Sequence, residues 1–254
     1  MLNKPIEKVV FLDIETTSQY ETFSAMPVRM QNLFKERFKK EIQEEFESQT
    51  HIENGLSIEK CVEEIYDIKA PLFAEFNKII CISMGILDTR NKDKYSLKVK
   101  SFINSDEKQL LTEFSESTSI KNFTTCKKEE QFSFCAHNGK VFDFPVIAKR
   151  MIYNGIDLPY IFDFSDKKPW DLDYIIDTKE VWKFGVFDGS VSLDLLAAAF
   201  NVESSKMLMK GSDVKNVYYI TKDMEAIKNY CEHDIYTLAS IYLKMKNIQV
   251  PLVR

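Results

Sequence analysis

Four carboxylates from three separated stretches of the chain have types and spacing that could do chemistry. Asp13 and Glu15 lie in the run VVFLDIET, Asp143 lies in FSFCAHNGKVFDFPVIAKR, and Asp234 lies near the C-terminus in YCEHD. Clusters of oxygen ligands of this type suit hard divalent cations such as Mg²⁺ or Mn²⁺ and offer little to softer metals. Two such ions, about 3.5 to 4 Å apart, would stabilise the attacking and leaving oxygens of a phosphoryl displacement. The chemistry that these residues predict is phosphodiester hydrolysis.

The first pair of acids must be positioned by a strand. Residues 9–12 are rich in β-forming side chains, and we predict a buried strand that ends in the two carboxylates. Side chains alternate along a strand, so Asp13 and Glu15 share one face while Leu12 takes the other. Like charges this close disfavour joint ionisation unless cations, hydrogen bonds or water offset them. The pair therefore needs further groups from the rest of the chain.

The longest helical pattern, residues 222–245, must position Asp234. We predict that Thr221 caps this helix. Asp234 falls on the apolar stripe of the helix, and Tyr230 lies four residues earlier, one turn away on the same side. The stripe consists of Ile227, Cys231, Leu238, Ile241, Tyr242 and Met245. An acid on a buried face beside a phenol needs a partner, and the four carboxylates come from three separated elements that could converge.

The remaining elements alternate between helices and strands. Residues 28–47 and 57–68, the latter capped by Ser57, are predicted helices of an insertion over about residues 18–75. The other predicted elements are strands at 76–87, 95–103 and 132–136, helices at 106–120, 141–154 and 192–200, a loop at 121–131 and a turn at Asn138-Gly139. Residues 157–188 carry no assignable pattern. We find neither an internal repeat nor a dividing linker, and we predict a single domain over residues 1–254.

The composition is that of an ordinary globular protein. With 254 residues, of which 44% are hydrophobic and 29% charged, the chain can bury a sizeable core and is neither collagen-like nor wholly disordered. The net charge of −5 gives no global basic footprint, although local Lys and Arg clusters could line a groove. The five cysteines form no CxxC pair, so neither a zinc ribbon nor a disulfide framework is indicated. We find no signal peptide and no membrane-spanning apolar run, so we expect a cytoplasmic protein with no membrane partner.

The motifs resemble those of the DEDD 3′-to-5′ exonucleases, specifically the tyrosine subclass and the proofreading exonuclease domain of family-B DNA polymerases. The segments that carry the likeness are FLDIET around Asp13 and Glu15, AHNGKVFDFPVI around Asp143, and YCEHD up to Asp234. Further likeness lies in FNKIICIS, DTKEVWKFG, SLDLLAAAF and KGSDV. The resemblance covers most of the chain except the helical insertion and the loop at 121–131. It implies an α/β fold of ribonuclease-H-like architecture, a mixed β-sheet flanked by helices with the insertion after the first strand.

The resemblance also implies roles for the acids. Two divalent ions, Mg²⁺ or Mn²⁺, would be the cofactors, and Asp13 would bridge both. Glu15 and Asp234 would complete the site of the ion that holds the attacking water, and Asp143 would bind or support the second ion. Tyr230 would orient that water and help to deprotonate it.

The subclass rests on the residues before the last acid. The histidine subclass would place its base five residues before Asp234, where this chain has Asn229, so Tyr230 is favoured over His233. We expect His137 and His233 to be hydrogen-bonding neighbours of the site and not metal ligands.

Five further residues are predicted to meet the nucleic acid. Aromatic side chains near the site could stack on the terminal base, a contact that tolerates any sequence, while the KGS segment could contact a phosphate or form only a surface turn. These predicted contact residues are Asn138, Phe142, Phe144, Lys210 and Ser212.

The expected activity is removal of nucleotides from single-stranded or frayed 3′ ends of DNA, with release of nucleoside 5′-monophosphates. No polymerase sequence follows Arg254, so we expect the protein to act separately in proofreading, trimming or repair, with replication or repair proteins as partners. An RNA 3′-5′ exonuclease resembling ribonuclease D is one alternative, because the sequence does not show how a 2′-hydroxyl would be treated. A catalytically silent nucleic-acid-binding module is the other.

Each motif taken alone also has an ordinary explanation. An Asp-x-Glu after a strand is common, Asp143 could cap the helix that holds Pro145, and Tyr230 could share a buried hydrogen bond with Asp234. The combination of all three motifs in this order favours the metal-dependent nuclease, because the separate explanations would have to hold together.

Overall fold

A six-stranded mixed sheet organises the fold. The structure, a computed structural model, describes residues 3–50, 57–118, 132–187, 189–204 and 209–253. Strand β1 is flanked by antiparallel β2 on one side and by parallel β4 on the other, in the order β5-β4-β1-β2-β3-β6. The strands are β1 (Val9–Ser18), β2 (Asn77–Asp88), β3 (Tyr95–Ile103), β4 (Ser133–Ala136), β5 (Ile175–Asp177) and β6 (Leu252–Val253).

Helices cover both faces of this sheet. Alternation along β1 sends Leu12 toward a core that includes Phe114 and Ile147, and sends Phe11 toward the other core, where its ring meets that of Tyr242 at 5.6 Å. The helices are α1 (Val28–Arg37), α2 (Lys39–Thr50), α3 (Ile58–Lys69), α4 (Glu107–Thr118), α5 (Asp143–Tyr153), α6 (Thr178–Lys183), α7 (Leu193–Phe200), α8 (Val214–Asn216) and α9 (Met224–Met245). The predicted α/β architecture, a mixed sheet flanked by helices, is confirmed. Among the described residues, no helix is long and apolar enough to span a membrane.

Helices α1 to α3 form the predicted insertion between β1 and β2, around their own aromatic cluster. The Phe34 ring makes edge contacts with Phe76 at 5.1 Å and Tyr66 at 5.4 Å. The Tyr66 hydroxyl donates to the Tyr20 carbonyl at 2.8 Å, which ties α3 to the segment after β1. The single helix predicted over residues 28–47 is wrong: it breaks at Phe38, which adopts φ −108° and ψ 22°. The buried row persists across the break, because Phe38 still packs against its neighbours.

Three further predictions differ from the structure in detail. Strand β1 continues to Ser18, so both acids lie inside the strand and not at its end, because the ladder to β2 continues past them. Helix α9 is capped by Asp223, whose carboxylate accepts from the Ala226 N–H at 2.9 Å, and not by Thr221. Ser57 stands at the N-cap of α3, but its side chain makes no capping bond. The short strands β5 and β6 carried no recognisable pattern. The loop predicted at 121–131 lies outside the described residues.

Candidate active site

The first two acids project from β1 toward α9. Asp13 and Glu15 pair with Ser83 and Cys81 of β2, and both lie on the strand face that packs against α9. Glu15 is buried, with 7% of its surface exposed, and Asp13 is half-buried. The extended ladder fixes their backbone, so the two carboxylates are held side by side on one strand.

Asp143 reaches β1 from the start of α5. Its Oδ1 accepts a hydrogen bond from the Ile14 N–H at 3.2 Å, which fixes the carboxylate beside Asp13. The turn before α5 depends on Gly139, where a Cβ would lie 2.3 Å from the Cβ of Ala136 and 2.9 Å from Phe144 Cε2. Only a residue without a side chain lets β4 and α5 approach this closely. Asp143 is 4% exposed and does not cap its own helix; the N-cap position belongs to Phe142.

Asp234 comes from α9, one turn after a cysteine that also meets the acids. Asp234 is 8% exposed, and its charge acts on both Asp13 and Asp143. The Cys231 thiol donates to Asp13 Oδ2 at 3.4 Å. Helix α9 therefore presents an acid and a hydrogen-bond donor to the strand that carries the first two acids. The structure brings all four predicted carboxylates together.

The mutual repulsion of these acids is visible in their pKa values. Burial raises the pKa of Asp13 well above its ordinary value, and the charges of Asp234, Glu15 and Asp143 raise it further. Burial likewise raises the pKa of Asp143 to about 7, although hydrogen bonds from its own N–H and that of Ile14 lower it. The cluster therefore retains protons in the absence of a compensating cation.

The donor set of the cluster fits a hard divalent cation. Ligand atoms of Asp13, Glu15 and Cys231 lie within 4.8 Å of one another. Burial raises the pKa of the Cys231 thiol, and a hydrogen bond with Cys81 and the nearby acids raise it further, so this sulfur stays protonated and serves Asp13 as a donor. Carboxylate oxygens remain as the available ligands, which is the donor type that Mg²⁺ and Mn²⁺ prefer.

A cavity of about 310 Å³ opens beside the acids, and it is lined by Asp13, Asp234, Asn138, Lys179 and residues at the start of α7. The Lys179 ammonium donates to Asn138 Oδ1 at 3.1 Å. The cavity is therefore lined by the acids Asp13, Asp234 and Asp194 together with the cation Lys179, a combination that suits a ligand carrying a phosphate next to bound metal.

The walls of this cavity are held by a buried acid, Asp177. It caps α6 by accepting from the N–H groups of Lys179 at 3.0 Å and Glu180 at 3.4 Å. The same carboxylate accepts from the N–H groups of Asn138 at 2.9 Å and Lys140 at 3.1 Å. Because one side chain serves both segments, the turn after β4 and the helix after β5 keep a fixed separation.

His137 performs a similar structural task. Its Nε2 bonds to the Val191 carbonyl at 2.9 Å, and its Nδ1 bonds to the Thr178 hydroxyl at 3.0 Å. A carbonyl can only accept, so Nε2 carries the proton of the neutral ring. Burial lowers the pKa of His137, which agrees with that neutral form. Both ring nitrogens are used by the protein, in agreement with the prediction that His137 is a neighbour of the site and no ligand.

Tyr230 lies one turn before Asp234 on α9 and is 3% exposed. It packs in a cluster with Ile80, Cys81 and Ile227. His233, on the same helix, is also buried. Its ring makes an edge contact with the Tyr236 ring, with the two ring centroids 6.3 Å apart.

The predicted nucleic-acid contacts have different surroundings. Phe144 is 1% exposed and packs against Phe134 and Phe162 in the core, so the prediction that it stacks on a base is wrong for this structure. Phe142 is half-buried against the same core, so part of its ring reaches the surface. Lys210 and Ser212 are exposed and form a surface turn, in which the Lys210 N–H and the Ser212 hydroxyl both donate to the Asp213 carboxylate.

Three residues of the site were not singled out from the sequence. Lys179 and Asp177 lie in a segment with no assignable pattern, although the D-T-K order after a short apolar run was a signal for a capped helix. Cys231 was assigned only to the apolar stripe of α9. Its contact with Asp13 depends on the packing of α9 on β1, which a single helical pattern does not reveal.

The comparison with protein families agrees with this arrangement. Residues 72–253 match the family described as "Predicted 3'-5' exonuclease related to the exonuclease domain of PolB". The matched range begins after α1 to α3 and includes Asp143 and Asp234, while β1 with Asp13 and Glu15 precedes it. A comparison with curated proteins found no match. The sheet, the flanking helices and the family match together support a nuclease function, and the chain belongs to the family of predicted 3′-5′ exonucleases related to the exonuclease domain of PolB.

Proposed function

We propose that the protein is a metal-dependent exonuclease that removes nucleotides from the 3′ end of DNA and releases nucleoside 5′-monophosphates. The observation that carries this proposal is the convergence of Asp13, Glu15, Asp143 and Asp234 from β1, α5 and α9, with pKa values raised at two of them. A fold that only needed stability would not gather buried acids that repel one another. Single-stranded or frayed 3′ ends are the proposed substrate.

We assign the four carboxylates as holders of two divalent cations, Mg²⁺ or Mn²⁺. When bound, such ions supply a nucleophile from water and offset the negative charge that develops on the scissile phosphate and the leaving oxygen. Asp13, whose pKa is raised by the charges of all three other acids, would contribute to both positions. Glu15 and Asp234 would hold one ion, and Asp143, fixed by the Ile14 N–H, would hold the other.

Other side chains position the substrate. Lys179 provides positive charge at the cavity wall for the phosphate of the terminal nucleotide, and Asn138 offers a neighbouring amide. We further propose that Tyr230 orients the attacking water, the role that a tyrosine at this position has in the tyrosine subclass of the DEDD exonucleases. Phe142 stays a proposed contact for the terminal base, and Lys210 with Ser212 are proposed contacts to the backbone of the strand.

The biological task that fits this activity is proofreading, trimming or repair in the cytoplasm, beside replication or repair proteins. Two alternatives make different predictions about substrate. An RNA exonuclease resembling ribonuclease D would prefer a 3′ end that carries a 2′-hydroxyl. A silent binding module would retain nucleic acid without cutting it.

The deciding assay compares 5′-labelled single-stranded DNA and RNA of the same sequence, each with Mg²⁺ or Mn²⁺. We expect a ladder that shortens from the 3′ end of the DNA and is lost with EDTA. Asp13→Asn should abolish it, while Asp93→Asn, which changes an exposed acid in the β2–β3 turn, should not. Faster digestion of RNA would select the ribonuclease alternative, and equal digestion by Asp13→Asn would refute the proposed site.

A further inference from the structure

The segment after α6 exposes large aromatic side chains in a chain that buries most of its phenylalanines. Phe184 is 81% exposed and Phe187 is 99% exposed, while Trp182 is 38% exposed with its ring edge against Phe200. We call Trp182, Phe184 and Phe187 the aromatic surface. Single exposed apolar residues are ordinary, but a cluster of exposed rings within six residues marks a binding surface.

The backbone that carries the aromatic surface is itself unusual. Phe184 ends α6 in the left-handed conformation, with φ 45° and ψ 38°, and Gly185 follows with φ 83°. A bulky residue in this region carries strain that a glycine would avoid. The structure therefore places a phenylalanine, outward and strained, at a position where the fold alone would favour glycine.

The segment that carries the aromatic surface is bounded along the chain by residues that line the cavity beside the acids. Lys179, which lines that cavity, lies in the first turn of α6, and Phe184 is the C-cap of the same helix. On the other side of the segment, Gly189 packs on Lys183, and Val191, which also lines the cavity, is held by His137. The segment that displays the rings therefore lies between two cavity-lining residues, Lys179 before it and Val191 after it.

The spacing and charge of this surface suit a single nucleic-acid strand. At 1.5 Å per helical residue, Lys183 lies about 6 Å along α6 from Lys179, and Phe184 follows it directly, a span that corresponds to about two stacked nucleotides at 3.4 Å each. Lys183 adds a second cation on the same helix. Rings stack on any base, so such a surface needs no sequence preference. The three rings bury too little for a stable protein partner, which needs about 800 Å² per side, whereas each ring covers about 150–250 Å² when fully buried.

We propose that Phe184 and Phe187 form a stacking platform for the bases just upstream of the 3′-terminal nucleotide, with Lys179 and Lys183 along the backbone of the strand. The identity of the ligand rests on the proposed function. The platform holds the strand while its terminal nucleotide occupies the cavity, and Trp182, supported by Phe200, backs the platform from α6.

Binding of a 5′-fluorescein oligothymidylate by fluorescence anisotropy tests the platform without relying on cleavage. The measurements use Mg²⁺ and an Asp13→Asn background. We expect Phe184→Ala and Phe187→Ala each to weaken binding roughly 5- to 30-fold. Phe184→Tyr and Phe187→Tyr keep a ring and should keep the affinity. Trp170→Ala, which removes a 72% exposed aromatic from the segment before β5, is the matched control and should bind as the parent does.

A second measurement identifies the contact as stacking. A probe with abasic sites at the second and third positions from the 3′ end lacks the bases that the rings would stack on. The Phe184→Ala, Phe187→Ala double variant should therefore bind this abasic probe almost as well as the parent protein does. Unchanged affinity of the double variant for intact DNA would overturn the proposal. A changed oligomeric state with unchanged DNA affinity would also overturn it and would assign the surface to a second copy of the chain.

The two proposals fail separately. The p-nitrophenyl ester of thymidine 5′-monophosphate occupies only the cavity, so the double variant in the otherwise wild-type chain should hydrolyse it as the wild type does. If DNA binding depends on the two rings but the wild type hydrolyses neither DNA nor the ester, the platform is supported and the nuclease is refuted. If the wild type hydrolyses DNA but binding does not depend on the rings, the nuclease is supported and the platform is refuted.

Discussion

Two groups of buried carboxylates in this molecule have opposite surroundings. Glu107 of α4 accepts from Arg150 Nε at 2.9 Å and Nη2, from the Ile79 N–H at 2.7 Å and from the Asn154 amide at 3.0 Å. Asp13, by contrast, faces three other acids, and the donor to its carboxylate is the Cys231 thiol. The first carboxylate is supplied with donors by the fold itself.

This difference in hydrogen-bond donors indicates that Glu107 stabilises the fold, whereas the proposed role of the acids around Asp13 is to bind a ligand. The Glu107–Arg150 pair connects α4, α5 and β2, and removing either partner leaves an uncompensated buried charge. The cluster around Asp13 does not stabilise the metal-free fold, because burial and repulsion both oppose its ionisation. Substitutions in the two groups should therefore affect stability and activity in opposite ways.

The largest expected effect is on cleavage by Asp13→Asn. We expect kcat on single-stranded DNA to fall at least about 10³-fold, because a shared metal ligand is lost. The free energy of unfolding should stay equal or rise, because repulsion with the other acids is removed. Single-turnover kinetics and chemical denaturation measure the two quantities, and a variant that loses both activity and stability would place Asp13 with Glu107 as a structural acid.

Arg150→Met should give the reverse result. Both partners of its ion pair are buried, so we expect the free energy of unfolding to fall by about 3–5 kcal/mol. Activity measured well below the melting temperature should stay within about threefold of wild type, since the pair does not line the cavity. Arg90→Met, which breaks an ion pair at the surface, is the control, and its unfolding transition should stay close to that of the wild type because solvent screens an exposed pair.

The pKa of Asp143 gives a pH test of the same contrast. Its folded value of about 7 lies above the ordinary 3.8, so the folded protein binds the proton more tightly than the unfolded chain does. This contribution to stability is complete below about pH 4 and is lost as the pH rises through 7. In EDTA, the wild type should lose about 1–3 kcal/mol more than Asp143→Asn between pH 5 and 8. Mg²⁺ should restore much of this difference for the wild type alone; parallel pH profiles of the two proteins would contradict the explanation.

The smallest effect is expected for Tyr230→Phe, which tests the subclass. Loss of a hydroxyl that orients water should lower kcat about tenfold and leave KM nearly unchanged. Tyr242→Phe is a matched control on the same helix, because the Tyr242 hydroxyl is buried without a hydrogen-bond partner among the described residues. Equal kcat values for the two variants would remove Tyr230 from the proposed mechanism.

Local patterns in the sequence predicted much of the fold, while long-range contacts explain what was missed. The alternation of β1 placed Asp13 and Glu15 on one face, and the stripe of α9 placed Asp234 on a buried face, because both periodicities are properties of single elements. The break at Phe38 and the cap at Asp223 depend on packing and on competing nearby caps. Strand β5 has three residues, too few for a period to show.

The site residues, like the fold, were predictable where local patterns place them and were missed where long-range contacts do. Acids in separated motifs indicated a metal site, but Lys179 and Cys231 enter it only through contacts between α6, α9 and the sheet. Phe144 was wrongly assigned to the site, whereas Lys179 and Cys231 were missed. This aromatic residue beside a motif was expected to stack on a base, but its ring is buried among its neighbours in the core.

One carboxylate outside the set of four converging acids makes the shape of the cavity a consequence of folding. Asp177 links the turn after β4 to α6 through four N–H groups, and neither wall can move outward without breaking these bonds. Under the proposed function, the cavity that receives the terminal nucleotide is thus formed before substrate arrives, and binding costs little rearrangement there. Adaptation to different strands then falls to the segment beyond α6, where the exposed rings lie. Under the two proposals, the rigid cavity wall selects a 3′ end, and the segment beyond α6 tolerates any sequence.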